Sequence, residues 1–332
     1  MSEYCKSEKL AELEAVISAG YANMAGIVIV KDGRLVYENY FNGCTAENQI
    51  HIYSVTKSIL SVLVGIAIDK GYIQSVEQKI LDFFPDYRIK RGEKNIQKIT
   101  IGHLLTMTAP YKYHFPPYRK YFTSDDWVTF SLDLLGGKAA GQKFRYAPLI
   151  GPDILSGIIV NATGQTVLDF AAEHLFEPLG IHVAGNIIFH SKEEQLAFSK
   201  VRDISGWVAD SKGVNAGGWG LALSPADMAK IGRLYLDGGV WKGEQLVSEK
   251  WIKESTTEHS RWEKQNLPYG YLWWLGEDGE SGFAAMGDGG NILYVNPGKG
   301  LVVASTAFLV KKPKDRIEFI KKYIEPVFAQ GN

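Results

Sequence analysis

The stretch Ala25-Gly26-Ile27-Val28-Ile29-Val30-Lys31-Asp32-Gly33-Arg34-Leu35-Val36-Tyr37-Glu38-Asn39-Tyr40 holds two strand-like runs, 25–30 and 34–40, around an Asp-Gly pair. Asp-Gly between β-branched and aromatic residues is a strong signal for a tight antiparallel hairpin. A matching cluster lies at the far end of the chain. The runs 283–286, 291–295 and 301–307 are short and rich in β-branched residues, and Asn296-Pro297-Gly298-Lys299-Gly300 supplies a turn between the last two. Hairpins at both ends can join one antiparallel sheet. Each end also carries a helical pattern. Leu10, Leu13, Val16 and Ile17 recur at helical spacing before Gly20, and Ile317, Ile320, Ile324, Val327 and Phe328 do so after the last strand.

The middle of the chain differs. Helical patterns begin at Thr100 and run through His103, Leu104 and Leu105, then recur at 151–162 and 167–175. Another follows Ser224-Pro225-Ala226-Asp227, where Ser224 suits an N-cap and Pro225 the first helical position. The expected architecture is α/β of the α+β type: an antiparallel sheet flanked by helices, with an inserted, mostly helical domain. Residues 1–70 and 215–332 would form the discontinuous sheet domain and 71–214 the helical one. The crevice between them is the expected place for a site.

Composition excludes several classes. The 332 residues are 45% hydrophobic and 22% charged with a formal net charge of −1, an ordinary globular balance. No Lys/Arg block suggests a nucleic-acid or anionic-membrane partner. The longest apolar run, 59–68, is too short to span a bilayer and reads as a buried helix. Cys5 and Cys44 make no disulfide framework and lie in no metal-like spacing with His, so two reduced thiols and no metal site are expected. The polar start lacks the pattern of a secretory signal, and a cytoplasmic location is expected.

Tyr53-Ser54-Val55-Thr56-Lys57-Ser58 leads directly into that apolar run. Ser54 would open a buried helix, with Lys57 three residues on and on the same face. The helix N-terminus offers unpaired N–H groups and a positive field, which favour an alkoxide and lower the proton affinity of a nearby amine. Ser54 can then be a nucleophile and Lys57 its base. The same spacing also fits an N-cap serine and a surface lysine. Ser54 is the single Ser-x-x-Lys match in the chain.

The wider context resembles the serine β-lactamase and penicillin-binding-protein family, in its esterase and amidase branch. It is especially similar to the nylon-oligomer hydrolases and class C β-lactamase-like proteins. The matching segments, in family order, are 53–58, Ile99-Thr100-Ile101-Gly102-His103-Leu104-Leu105-Thr106-Met107-Thr108, Phe144-Arg145-Tyr146, Leu175-Phe176-Glu177-Pro178-Leu179-Gly180-Ile181, Gly217-Gly218-Trp219-Gly220-Leu221, Ser224-Pro225-Ala226-Asp227-Met228-Ala229 and Gly287-Asp288-Gly289-Gly290-Asn291. The resemblance implies a β-lactamase/transpeptidase-like fold and an acyl-enzyme mechanism that needs no cofactor. It also implies a catalytic tyrosine, for which Tyr146 is the candidate. The Tyr-x-Asn matches at Tyr21, Tyr37 and Tyr294 lie outside the helical middle. Ser54 N–H and Gly290 N–H are the implied oxyanion donors. Gly287, Asp288 and Gly289 stand where the family's Lys-Thr-Gly or His-x-Gly lines the site. Trp219 and Tyr111 or Tyr113 can line the pocket, while His103 and the Trp273-Trp274 pair read as structural.

Two departures bear on the substrate. Pro148 stands where the family's asparagine would offer an amide, and proline has neither that group nor an N–H. Asp288 adjoins the place of the cation that would grip a carboxylate, so anionic substrates should be repelled. The expectation is a serine hydrolase acting on an ester or amide of a small molecule. A β-lactamase or D-amino-acid peptidase is the alternative within the family, and a non-catalytic binding module the alternative outside enzymes. A Gly-x-Ser-x-Gly hydrolase is excluded, because no glycines flank Ser54.

Overall fold

The structure is a computed structural model that describes residues 3–141, 143–277 and 281–328, with side chains from residue 8 onward. Cys44 is a free thiol, and the side chain of Cys5 lies outside the described residues. One antiparallel sheet holds eight strands: β1 (Met24–Lys31), β2 (Arg34–Tyr40), β3 (Ser260–Trp262), β4 (Leu267–Tyr269), β5 (Trp274–Leu275), β6 (Phe283–Gly287), β7 (Asn291–Asn296) and β8 (Leu301–Ala307). Their order is β2-β1-β8-β7-β6-β5-β4-β3, so the first and last strands of the chain are neighbours. Lys31 pairs with Arg34 across Asp32 and Gly33, whose φ values are 49° and 73°. Both central residues of the hairpin are therefore left-handed, as a twisted two-residue connection requires and as Asp-Gly tolerates.

Alternation along β1 sends successive side chains to opposite faces. Ile27 and Ile29 face a cluster built from Leu13 and Ile17 of α1 (Glu3–Gly20) and from Phe319, Ile320 and Ile324 of the C-terminal helical segment. Val28 and Val30 face the larger core, with Leu293, Val295 and Val302. There they meet α2 (Val55–Asp69), with α3 (Tyr118–Phe122) and α4 (Ile150–Thr163) beyond it, and α5 (Pro225–Leu236), which lies directly on the sheet. A Cβ on Gly232 would lie 2.5 Å from Val302, so glycine lets α5 lie close on the sheet. α2 is buried from Val55 to Ala67, as an all-round apolar helix must be. Among the described residues, no single helix is long and apolar enough to cross a membrane.

The expected strands and helices all occur, with ends shifted by a residue or two in most cases. Ser224 caps α5 through a capping box with Asp227, and Thr100 and His103 form another before the short helix Ile101–Leu105. His103 is thus a structural residue: its Nδ1 accepts the Thr100 N–H at 3.0 Å. Three strands, β3 to β5, were not foreseen. They are two or three residues long, and Pro268 interrupts any alternation.

Candidate active site

Ser54 lies between the strand pair formed by Ile50–His51 with Ala222–Leu223 and the start of α2. The chain arrives through Tyr53, which holds φ at +49°, a left-handed conformation rare for a bulky residue. Such strain persists where surrounding structure over-determines it. Here Ile52 N–H donates to Leu221 O at 3.0 Å, and Tyr53 O accepts both the N–H of Thr56 and its hydroxyl. Ser54 occupies the N-cap position but is itself α-helical, at φ −70° and ψ −6°, and its side chain caps no N–H. The capping alternative therefore does not describe this hydroxyl.

Lys57 is not a surface residue either. Its side chain is 1% exposed, and its Nζ donates to Ser54 Oγ at 2.8 Å and to Gly218 O at 2.7 Å. Burial pulls its pKa down to about 7, against the opposing charges of Asp288 and Asp153. Near neutral pH a large share of Lys57 is therefore an uncharged amine beside a hydroxyl. Gly218 must be glycine, because a Cβ there would collide with Pro148 O.

Tyr146 reaches the same hydroxyl from the loop before α4. Arg145 anchors that loop: its N–H donates to Met107 O at 2.7 Å, and its guanidinium donates to Tyr113 O at 2.6 Å and stacks over the Tyr113 ring. The Tyr146 ring rests on Trp274, centroids 5.6 Å apart, and Lys57 Nζ lies 5.3 Å from its centre. Burial pushes the phenol up to about 12, while a hydrogen bond with Ser54 acts to lower it. Tyr146 therefore rests protonated, able to pass a proton on.

Of the 287–290 segment, only part faces this centre. A Cβ on Gly287 would lie 3.2 Å from Ser54 N and would strike Ile52 O, so the end of β6 runs tightly against the head of α2. Asp288 follows with its side chain exposed. Gly289 and Gly290 turn the other way. Gly289 O accepts from Asn23 Nδ2 at 2.7 Å, and Gly290 O accepts from Arg316 Nε at 3.1 Å. A Cβ on Gly290 would lie 2.8 Å from that nitrogen. Gly290, the expected second oxyanion donor, meets Arg316 through its carbonyl and its Cα. Gly287 is the backbone that approaches Ser54 N.

Tyr111 does not line the site. It is 7% exposed, and its hydroxyl is closed in by Gly151 of α4. Trp219 is half-buried in an aromatic cluster with His51, Phe122, Trp127, Phe189 and Phe198, and its Nε1 lies 3.4 Å from Tyr121 Oη. A cavity of about 710 Å³ beyond this cluster, lined by Phe122, Trp127 and Phe189, excludes Ser54, Lys57 and Tyr146.

Sequence reasoning missed Asp153. It is 1% exposed, Oδ1 accepts the Gly217 N–H at 2.9 Å, and the Tyr121 hydroxyl acts on the same carboxyl as a hydrogen-bond partner. Burial raises its pKa to about 7, and its charge acts on Lys57. A lone carboxylate among Ile150, Ile154, Leu155, Ile158 and Ile159 was a legible signal for a buried acid. Trp274 was read as packing; its ring supports Tyr146.

The chain is similar to known proteins over most of its length. The 6-aminohexanoate-dimer hydrolase of Paenarthrobacter ureafaciens is 21% identical over 292 residues, 81% of this chain and 69% of that protein. The octameric penicillin-binding protein homologue from Pyrococcus abyssi superposes with a TM-score of 0.71 at 23% identity, covering 94% of this chain and 76% of the other. A family VIII carboxylesterase gives 0.69 at 16% identity, covering 96% of each. The family model described as Beta-lactamase matches residues 13–318, and the chain belongs to that family.

Proposed function

We propose that the protein is a serine hydrolase that cleaves an ester or amide bond of a small molecule through an acyl-enzyme on Ser54. The observation that carries this reading is the contact between Lys57 Nζ, buried and with its pKa lowered to about 7, and Ser54 Oγ at 2.8 Å. A buried amine has no low-energy role as a cation here, but as a neutral base it can take the serine proton.

In the first step Ser54 Oγ attacks the carbonyl carbon as its proton passes to Lys57. The carbonyl oxygen becomes an oxyanion held by the N–H of Ser54 and by the backbone at the Gly287 end of β6. Each such donor contributes about 2.7–4 kcal/mol to transition-state stabilisation. Collapse breaks the bond to the leaving amine or alcohol, which receives a proton through the Tyr146 hydroxyl. Water then attacks the acyl-serine by the same route in reverse, releasing the acid and restoring Ser54. Gly218 O keeps Lys57 aimed at Ser54 throughout.

Pro148 and Asp288 argue against β-lactams and other anionic acyl groups. The first offers no amide at the acyl side and the second places a negative charge at the mouth. The names of the similar proteins, one a 6-aminohexanoate-dimer hydrolase and one a carboxylesterase, fit an amide or an ester equally. The test is steady-state hydrolysis of a short p-nitrophenyl ester. Wild type should turn it over and Ser54→Ala should fall to the buffer rate. Undiminished turnover by Ser54→Ala would overturn the proposal.

A further inference from the structure

We propose that Asp153 is a positioning residue for acyl transfer: with His51 it fixes the segment 217–220, so that Gly218 O aims Lys57 Nζ at Ser54 Oγ. This rests on the acyl-transfer reading of Ser54 and adds two residues that act through the backbone rather than on the substrate.

The first support is what Lys57 leans on. Its Nζ donates to Gly218 O at 2.7 Å and to Ser54 Oγ at 2.8 Å, so the direction of one carbonyl sets the direction of the base. That carbonyl belongs to Gly217-Gly218-Trp219-Gly220, a segment made mostly of glycine. Close approach requires the first two: a Cβ on Gly217 would collide with Pro152 O, and one on Gly218 with Pro148 O. Glycines also leave the segment without stiffness of its own, so its carbonyl must be held from outside.

The second support is that two buried side chains grip the segment on either side of Gly218. Gly217 N–H donates to Asp153 Oδ1 at 2.9 Å, and Gly220 N–H donates to His51 Nε2 at 2.9 Å. Asp153 comes from the first turn of α4, and His51 from the strand pair that leads into Ser54. The segment that aims the base is thereby tied to the strand that delivers the nucleophile. Burial pulls the His51 pKa down to about 3, so near neutral pH its Nε2 stays a bare acceptor.

The third support is Trp219. Its Nε1 lies 3.4 Å from Tyr121 Oη, and the Tyr121 hydroxyl in turn acts on Asp153. Asp153 thus reaches both neighbours of Gly218, Gly217 directly and Trp219 through Tyr121. The Trp219 ring is packed edge-on against Phe122, centroids 5.6 Å apart. Rotation of the Gly218 carbonyl away from Lys57 is resisted from both sides.

The test is the rate at which a fluorophosphonate labels Ser54 at about pH 9, where Lys57 is uncharged. Asp153→Leu removes the acceptor and should slow labelling about tenfold or more. Asp153→Asn keeps an oxygen for the Gly217 N–H and should restore the rate to within about threefold of wild type. In a Lys57→Ala background no base is left to aim, and Asp153→Leu should change the rate by less than about twofold. A loss of equal size in both backgrounds, or an Asp153→Asn as slow as Asp153→Leu, overturns the proposal and leaves Asp153 a packing residue. If Asp153→Leu does not fold, His51→Leu takes its place in the same pair of backgrounds, with the same two readings. Failure of the acyl-transfer reading looks different: the wild type takes no label. Crystal structures of the two Asp153 variants then decide. Lys57 Nζ within hydrogen-bond reach of Ser54 Oγ in Asp153→Asn and out of reach in Asp153→Leu upholds the positioning role, and within reach in both overturns it.

Discussion

Ser54, Lys57 and Tyr146 share one hydroxyl, and their protonation states follow from burial. With Lys57 near 7 and Tyr146 near 12, kcat/KM should rise with pH through an apparent pKa close to 7, as Lys57 loses its proton. Asp153 favours the charged lysine, so Asp153→Asn should move this rising limb to lower pH; an unmoved limb would mean that Lys57 is not the group being titrated. Tyr146→Phe should cut turnover of an ester by about 10² or more. Lys57→Ala combined with Ser54→Ala should cost no more than the worse single variant, as in a unit that acts together. Stopped-rate assays across pH check all of these. At this scale the candidate nucleophile was legible because a lysine just before a nearly unbroken apolar run has nowhere solvated to go. Asp153 was passed over because a single acid carries no spacing pattern, and only the fold shows that it lies behind Lys57.

Among the elements, the head of α2 and the end of β6 decide the geometry. Their approach depends on Gly287, whose missing Cβ would meet Ile52 O and lie 3.2 Å from Ser54 N. Gly287→Ala should push the strand away from the serine and slow acylation about tenfold or more, on the footing that an ångström of misplacement at a reacting centre is felt strongly. A labelling rate within twofold of wild type would contradict the close approach. The segment 287–291 lies at the end of β6, where Gly287 rather than Gly290 comes against Ser54 N. Gly290 was chosen from a linear register, whereas Gly289 and Gly290 adopt φ values of 77° and 92° and carry the backbone round toward Arg316. Positive φ at successive glycines cannot be told from a straight strand by composition alone. The aromatic neighbours were ambiguous for a similar reason. Tyr111 and Trp219 fit a pocket or a core equally by residue type, and both pack.

For the molecule as a whole, the two ends of the chain build the platform on which the site stands. β1 and β8 pair along their length, and Arg316 ties the C-terminal segment to the corner where β1 begins and β6 turns into β7, donating to Gly290 O and to Asn23 Oδ1 and lying 4.6 Å from the Tyr21 ring centre. Arg316 is 5% exposed. Arg316→Ala should therefore leave buried acceptors unpaired and cost about 1–3 kcal/mol for each such group, lowering the denaturation midpoint; an unchanged midpoint would show that the tie is not structural. The sheet formed from both termini was legible because alternation, the Asp-Gly turn and the two flanking helical patterns agree with one another. β3 to β5 were not, since strands of two or three residues carry too few positions for a period to show.

The central claim is that Ser54 is an activated nucleophile, and the most direct test is the intact mass of the protein after incubation with a fluorophosphonate. Wild type should gain one adduct and Ser54→Ala none. An unlabelled wild type, or an adduct that persists in Ser54→Ala, would contradict the account.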